Sequence, residues 1–166
     1  LLNSTGDLVV IQDADLEYNP NDLKTFVNTF KKHPFIDFIY GNRFHHTRQE
    51  VIYQSYYLGN RFLTKISNLF TIPRGLKVND MEVCYKMAKG EIFRNIGQTI
   101  ESTSSFGLEP ELTAKFAKKK AKDSINYWEI PIDYKPRTIG EGKKIKIVKD
   151  GSSALLEITK FNSLKS

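Results

Sequence analysis

The stretch Leu8-Val9-Val10-Ile11-Gln12-Asp13-Ala14-Asp15 decides the fold class of this chain. Its four consecutive apolar residues predict a short strand buried on both faces, which is typical of a parallel sheet covered by helices. Two carboxylates, Asp13 and Asp15, follow at the C-terminal end of that strand. Open α/β sheets bind their ligands at this edge. The stretch therefore predicts an α/β fold with a polar site where the strand ends.

The two carboxylates predict a site for a divalent metal ion. Hard oxygen ligands beside phosphate groups suit Mg²⁺ or Mn²⁺. On this interpretation, Asp13 and Asp15 hold a metal ion that binds a nucleotide diphosphate. The alternative is a junction between strand and turn with solvated side chains, since Asp is common in turns. The short D-x-D pattern alone does not separate the two interpretations.

The rest of the chain alternates between helical and strand patterns. A helix is expected from Asn19-Pro20 to His33-Pro34, with Asn19 as its cap, followed by a strand parallel to the first. The pattern shows no internal repeat and no long linker, so we expect one domain over residues 1–166. The other predicted elements are strands at 35–40, 81–88 and 127–134, helices at 56–70, 91–96 and 109–119, a flexible loop at 138–149 and a last amphipathic helix with Ala154, Leu155, Ile158 and Phe161.

Composition excludes several classes of protein. The chain has 166 residues, of which 40% are hydrophobic, enough for a substantial core. Its single cysteine, Cys84, excludes an intramolecular disulfide framework and a cysteine-rich zinc site. No signal peptide and no apolar run of about 20 residues, the length of a membrane span, are visible.

The net charge of +6 belongs to one part of the chain, because residues 115–149 hold eleven Lys and Arg but four Asp and Glu. Such a stretch suits nucleic acid, anionic lipid or a phosphate-bearing substrate. The alternative function is thus a non-enzymatic nucleic-acid-binding module that uses Lys118, Lys119, Lys120 and Lys122. That interpretation lacks a stacking platform and leaves Asp13 unexplained, so no nucleic-acid partner is expected. A nucleotidyl-transfer enzyme with similar metal geometry is a further alternative.

Several motifs occur in a defined order along the chain. The motifs are Gly6-Asp7, Asp13 to Tyr18, Gly41-Asn42-Arg43-Phe44, Asn79 to Lys86, Phe106 to Lys115, Glu129 to Tyr134, Arg137 and Gly140 to Lys144. With this ordered set, which spans essentially the whole sequence, the chain resembles family 2 glycosyltransferases, in particular the branch similar to dolichyl-phosphate mannose synthases and related bacterial enzymes.

The resemblance implies the GT-A fold, a three-layer α/β nucleotide-sugar transferase fold with a mostly parallel sheet. It also implies that residues 1–166 are the C-terminal two-thirds of such a catalytic domain. The family's first strand and its nucleotide-recognition segment would lie upstream of Leu1. We therefore expect an N-terminally truncated chain that is inactive on its own.

The resemblance assigns roles around the first strand. Asp13 and Asp15 correspond to the D-x-D pair, with Asp15 the firmer ligand of Mg²⁺ or Mn²⁺ and Asp13 near the donor ribose. Glu17 stands where related enzymes often carry a metal-contacting Gln, so it is a plausible third contact.

Two further positions follow from chemistry at the same edge. Arg43 leaves the second strand and can clamp a phosphate of the donor or of a lipid acceptor. Asp80 is the candidate general base, which an acceptor hydroxyl needs and a phosphate acceptor does not. In the second case Asp80 would orient the acceptor, and Glu82 is the alternative base. Glu109 and Glu111 are interpreted as structural, because acidic residues suit a helix start.

Basic residues near the C-terminus complete the predicted site. Arg137, Lys143 and Lys144 lie where the family has a loop that closes over the donor, supplying positive charge and excluding water. A solvated charge run is the competing interpretation.

The expected function is inverting, metal-dependent transfer of a sugar from a UDP- or GDP-sugar to a polyprenyl phosphate or a glycan hydroxyl in cell-envelope glycan or glycolipid synthesis. The amphipathic last helix predicts peripheral contact with the cytoplasmic face of the membrane.

Overall fold

The computed structural model describes residues 1–13, 16–45, 54–103, 106–137 and 147–163. The described chain forms one mixed sheet flanked by helices, as expected for the α/β class. Its elements in chain order are β1 (Leu8–Ile11), α1 (Asp22–Lys32), β2 (Phe38–Asn42), α2 (Gln54–Thr71), a 3-10 turn (Ile72–Arg74), β3 (Lys86–Lys89), α3 (Gly90–Gly97), α4 (Leu108–Asp123), β4 (Tyr127–Pro131) and α5 (Ile147–Ser163).

The sheet has four strands in the order β1-β3-β2-β4. β3 runs antiparallel to β1 and to β2, whereas β2 and β4 are parallel. β1 and β2 therefore share a direction, as predicted, but β3 lies between them. This insertion matters for the site, because the N-terminal end of β3 meets the C-terminal ends of its two neighbours at one edge.

Several predicted boundaries differ from the structure. β3 begins at Lys86 instead of Met81, so the segment before it is a turn in which alternation of side chains does not apply. The residue that precedes α1 is Asn21 and not the predicted cap Asn19. The Asn19 side chain instead accepts a hydrogen bond from the Asn21 backbone N–H (3.1 Å). β4 ends at Pro131. Its Trp128 is exposed, whereas the alternation of Trp128, Ile130 and Ile132 predicts one buried face.

The core is centred on β2, whose five residues are all buried. Phe38 and Tyr40 point to the same side of the sheet and meet Phe116 of α4, with the Phe38 and Phe116 rings stacked at 4.4 Å. The Tyr40 hydroxyl donates a hydrogen bond to Thr113 on the same helix (2.9 Å). These contacts fasten α4 to the central strand, and so place the first turn of α4 near the ligand-binding edge.

α5 packs against α2 and α4. Its apolar residues Ala154, Ile158 and Phe161 are buried there, so the face on which the sequence predicted membrane contact is covered by the fold. α5 begins at Ile147, so the last residues of the loop predicted at 138–149 are helical, and residues 138–146 lie outside the described ranges. None of the helices in the described ranges has both the length and the apolar character needed to cross a bilayer.

The sequence pattern predicts Phe62, Leu63, Ile66, Leu69 and Phe70 on one face of the helix at 56–70, and the structure divides them between core and solvent. Leu63, Ile66 and Phe70 pack against the core, but Phe62 and Leu69 are exposed. The residues that α2 buries most completely are small and polar, namely Thr64, Ser67 and Thr71.

The Phe116 ring is fully buried, so Phe116→Ala should leave a cavity beside β2. We expect it to lower the free energy of unfolding by about 3–5 kcal/mol, measured by chemical denaturation. Phe35→Ala is the matched control, because the Phe35 side chain is 55% exposed and should cost much less. Equal losses in the two variants would contradict this account of the core.

Candidate active site

Three chain segments meet at one edge of the sheet. Asp13 follows the end of β1, Arg43 follows the end of β2, and the turn from Asp80 to Tyr85 precedes β3. Because β3 is antiparallel to both neighbours, its start lies beside their ends. The structure thus brings together residues that are far apart in sequence. Asp15 lies outside the described residues.

Arg43 and Asp80 form a buried, bidentate ion pair. Nε of Arg43 donates to Oδ2 of Asp80 and Nη2 donates to Oδ1, both at 2.7 Å, and the Arg43 backbone N–H also donates to Oδ2 (3.1 Å). The Asp80 side chain is fully buried and that of Arg43 is 11% exposed. The guanidinium lies 5.0 Å from the centre of the Tyr134 ring. Both carboxylate oxygens are therefore engaged by one cation.

This pair bears on two predicted roles. Burial alone would lower the pKa of Arg43, but the Asp80 carboxylate outweighs it, and the pKa lies well above its ordinary value. Both carboxylate oxygens of Asp80 accept hydrogen bonds from Arg43, and protonation of Asp80 would leave the buried guanidinium without its counter-charge. The base role of Asp80 and the phosphate role of Arg43 stay predictions, and the geometry favours Asp80 as the group that orients Arg43.

Glu17 is bonded to the segment that follows β4. Its Oε2 accepts a hydrogen bond from the Tyr134 hydroxyl (2.6 Å), and Oε1 accepts from the Arg137 backbone N–H (2.9 Å) and from Nε of Arg137 (3.2 Å). Its backbone carbonyl accepts from the Lys135 N–H (2.8 Å). The predicted metal contact of Glu17 stays a prediction, while the structure gives this carboxylate a clear positioning role.

Tyr134 connects the Glu17 contacts to the ion pair. Burial, together with the hydrogen bond to Glu17, raises the pKa of Tyr134 above its ordinary value, while Arg43 opposes the shift. Tyr18 pairs with Tyr134 through an isolated antiparallel bridge, and their rings lie 5.2 Å apart. The phenols thus stay protonated and hold the edge together.

Asp13 is exposed at this edge, and its charge raises the pKa of two neighbouring groups. Burial raises the pKa of the Cys84 thiol to about 12, and Asp13 contributes through its charge and a hydrogen bond. The pKa of Glu109 is raised mainly by burial and further by Asp13. Cys84 is a buried free thiol, as expected. Asp13 therefore faces Cys84 and Glu109 across the edge.

Glu109 belongs to the site, although the sequence suggested a structural role. Its Oε1 lies 3.9 Å from Nζ of Lys86, which is fully buried, donates to the Val83 carbonyl and lies over the Tyr40 ring. Glu111, two residues further, accepts from the Glu101 and Ser102 backbone N–H groups (both 2.8 Å) and is structural. The sequence feature that could have identified Glu109 is its position in the first turn of α4, which begins at the ligand-binding edge.

Glu82 is the most perturbed carboxyl of the site. Burial and the nearby charge of Glu109 raise the pKa of Glu82 to about 7. The positive charges of Lys86 and Arg43 oppose this shift. Its Oε1 is buried and has no hydrogen-bond partner among the described residues. A carboxyl with a pKa near neutrality and a free oxygen is suited to accept and release a proton.

A complete metal site is not visible in the described ranges, where no group of three or more His, Cys, Asp or Glu side chains is arranged to hold an ion. Asp13 fits a hard divalent ion by its oxygen donors and its exposure, and its predicted partner Asp15 lies outside these ranges. Lys143 and Lys144 also lie outside them, while Arg137 is held by Glu17.

The lysines of α4 are largely engaged in local contacts. Nζ of Lys119 pairs with Asp123 (2.7 Å), and Nζ of Lys120 donates to the Ile125 carbonyl (2.8 Å). Lys115 donates to the Thr99 carbonyl (2.7 Å). These contacts favour a structural role over the alternative of a nucleic-acid surface.

Asp80→Asn should leave the Arg43 guanidinium buried without its counter-charge. We expect a loss of about 3–5 kcal/mol in the free energy of unfolding, measured by urea denaturation. Asp123→Asn, which breaks a surface pair with Lys119, is the control and should change little. A wild-type denaturation midpoint for the Asp80 variant would contradict the importance of this pair.

Glu82 should make stability depend on pH. Its pKa is about 7 in the folded protein against an ordinary value of 4.5, so between these values the folded state binds more protons than the unfolded chain. The contribution of Glu82 to stability therefore falls as pH rises from 4.5 to about 7. Glu82→Gln should remove this part of the slope in denaturation series. The exposed control Glu91→Gln should keep it, and an unchanged slope in Glu82→Gln would refute the shift.

Comparison with known proteins agrees with the geometry at the level of fold. The chain is 25% identical over 150 residues to the glycosyltransferase AglJ of Haloferax volcanii, covering 90% of this chain and 46% of that protein. Its structure is similar to glucosyl-3-phosphoglycerate synthase of Mycobacterium tuberculosis in complex with Mn²⁺, UDP-glucose and glycerol 3-phosphate (TM-score 0.60, 13% identity). The complex of that enzyme with Mn²⁺, UDP and glucosyl-3-phosphoglycerate gives a TM-score of 0.64 at 12% identity.

These matches cover 98% of this chain and 52% of each enzyme chain, so the chain spans about half the length of the proteins it resembles. They show that the fold is that of the GT-A glycosyltransferases. The family model described as Glycosyl transferase family 2 matches residues 1–97, which include β1, the D-x-D pair, the ion pair and β3. The chain therefore belongs to glycosyl transferase family 2.

Proposed function

We propose that the protein of which this chain is part transfers a sugar from a UDP- or GDP-sugar to a polyprenyl phosphate or a glycan hydroxyl, with inversion and with a divalent metal. The cellular process would be the synthesis of cell-envelope glycan or glycolipid. The observation that carries the proposal is the position of Asp13, which follows β1 at the edge where Glu82, Glu109 and the Arg43–Asp80 pair lie. The similarity to AglJ and to a UDP-glucose-binding enzyme supports it.

Asp13 and Asp15 would hold the metal ion. Mg²⁺ or Mn²⁺ bound there supplies Lewis-acid stabilisation of the negative charge on the departing nucleoside diphosphate. Carboxylate oxygens are the donors that both ions prefer, and the similar enzyme is described in complex with Mn²⁺. The choice of oxygen donors at a strand end thus supports metal dependence.

Basic residues would neutralise the remaining phosphate charge. Glu17 fixes the backbone of Arg137, and the chain continues from there to Lys143 and Lys144. Arg43 contributes a cation whose orientation is held by Asp80 and by the Tyr134 ring. In this arrangement Asp80 acts as a positioning residue, and the predicted third metal contact of Glu17 is not needed.

The identity of the base depends on the acceptor. A hydroxyl must lose its proton during transfer, and Glu82, with a pKa of about 7 and a buried oxygen that has no hydrogen bond in the described part of the chain, is the carboxylate best suited to take it. A phosphate acceptor is already ionised and requires no base. The two acceptor classes therefore differ in whether Glu82 is needed as a general base.

The proposed location is the cytoplasmic side of the membrane, because a nucleotide sugar is a cytoplasmic donor and a polyprenyl phosphate lies in the bilayer. The basic stretch near residues 137–149 suits both the donor phosphates and anionic lipid.

The test is turnover by the full-length protein with UDP- and GDP-sugars, Mg²⁺ or Mn²⁺ and a polyprenyl phosphate. We expect Asp13→Asn and Asp15→Asn each to lower the rate by at least about 100-fold, because Lewis-acid stabilisation is worth several kcal/mol. Asp7→Asn, in the exposed turn before β1, is the control and should keep normal activity. The products should be a glycosylated acceptor and a nucleoside diphosphate.

Two results would overturn the proposal. The first is turnover that survives both a chelator and neutralisation of the two aspartates. The second is release of pyrophosphate, which would indicate nucleotidyl transfer instead of sugar transfer.

A further inference from the structure

α2 presents its large apolar side chains outward. Leu58, Phe62 and Leu69 are 62%, 55% and 69% exposed, and Ile72, directly after the helix, is 50% exposed. At 3.6 residues per turn, the three helical positions and Lys65 fall within about 60° of arc. We call this row, Leu58, Phe62, Lys65, Leu69 and Ile72, the α2 stripe.

The opposite face of α2 shows the reverse distribution. The side chains that it buries are those of Thr64, Ser67 and Thr71. The Ser67 and Thr71 hydroxyls have no hydrogen-bond partner within the described ranges. Leu63, Ile66 and Phe70 of α2 do pack against the core, but the exposed apolar side chains lie opposite the buried hydroxyls. A helix whose only partner was its own core would not leave a whole apolar row in water, so we infer that the outer face also has a partner.

Charge identifies the kind of partner. From Gln54 to Asn79 the sequence contains no Asp or Glu, but it contains Arg61, Lys65, Arg74 and Lys77. Lys65 is exposed in the middle of the α2 stripe, with an aliphatic stem that can follow the apolar side chains while its ammonium group stays in water. Exposed apolar side chains in a segment whose charged residues are all basic suit the interface of an anionic bilayer.

A second copy of the chain fits the same face poorly. A two-fold contact through the α2 stripe would place the two Lys65 ammonium groups close together. No acidic residue on the helix could neutralise them. Like charges at the centre of an interface oppose association.

From these observations we infer that the α2 stripe is a membrane-docking surface, which lays α2 on the headgroup region of an anionic bilayer. α5 is not that surface, because its apolar face is buried against α2 and α4. The inference rests on the proposed function in one respect, since docking would bring the site to a lipid-phosphate acceptor. Vesicle binding itself requires no turnover, so the two proposals fail separately.

The experiment is flotation of the full-length protein with vesicles of phosphatidylcholine alone or mixed with phosphatidylglycerol. The wild type should bind the mixed vesicles more tightly. The double variant Phe62→Ser/Leu69→Ser should partition at least about tenfold more weakly, because it removes two side chains that would enter the lipid. Lys65→Gln, which keeps the apolar side chains, should bind the mixed vesicles about fivefold more weakly and the neutral ones unchanged.

The matched control is Leu156→Ser, since Leu156 is 72% exposed but belongs to α5 and not to the α2 stripe. It should float like the wild type, and circular dichroism should show that all variants keep their helices. The inference is overturned if the double variant floats like the wild type or if Leu156→Ser loses as much binding. It is also overturned if the wild type ignores vesicles and instead forms a concentration-dependent dimer that the double variant abolishes.

Discussion

The ion pair between Arg43 and Asp80 is the interaction on which the arrangement of the site depends. It joins the residue that follows β2 to the turn that precedes β3, with two hydrogen bonds of 2.7 Å in a buried setting. Desolvation makes such a pair costly to form and costlier to break, because either partner alone is an uncompensated charge. The pair therefore fixes where the turn from Asp80 to Tyr85 lies, and with it the position of Glu82. Specific geometry, more than net stability, is what this pair provides.

The antiparallel insertion of β3 gives the edge its chemistry. In a purely parallel arrangement only strand ends would meet there, whereas here the start of β3 adds the turn that carries Glu82 and Cys84. The first turn of α4 adds Glu109, held in place by the packing of Phe116 on β2. Burial raises the pKa of Glu82 to about 7 and also raises the pKa of Glu109. A carboxyl whose pKa is raised toward neutrality can exchange a proton during a reaction.

Local patterns predicted much of this structure, and their failures have physical reasons. The apolar run at residues 8–11 and the helix at 91–96 are short-range signals, and both elements occur where expected. The pairing of Asp80 with Arg43 spans 37 residues and depends on the strand order, which no local pattern contains. The environment of the apolar residues of α2 differs from the prediction for another reason. Helical periodicity shows that residues share a face but not which face meets the core. The metal contact of Glu17 is predicted from the family resemblance, whereas the contacts in the structure come from Tyr134 and Arg137, far along the chain.

The Glu17 contacts also have an entropic consequence. Because the Arg137 backbone is bonded to Glu17, the two lysines at 143 and 144 are joined by only a few residues to a point fixed beside the D-x-D segment. A short tether confines charged groups to a small volume and gives them a high effective concentration near a bound anion. The Glu17 carboxylate thus fixes Arg137, from which the basic stretch continues in the sequence.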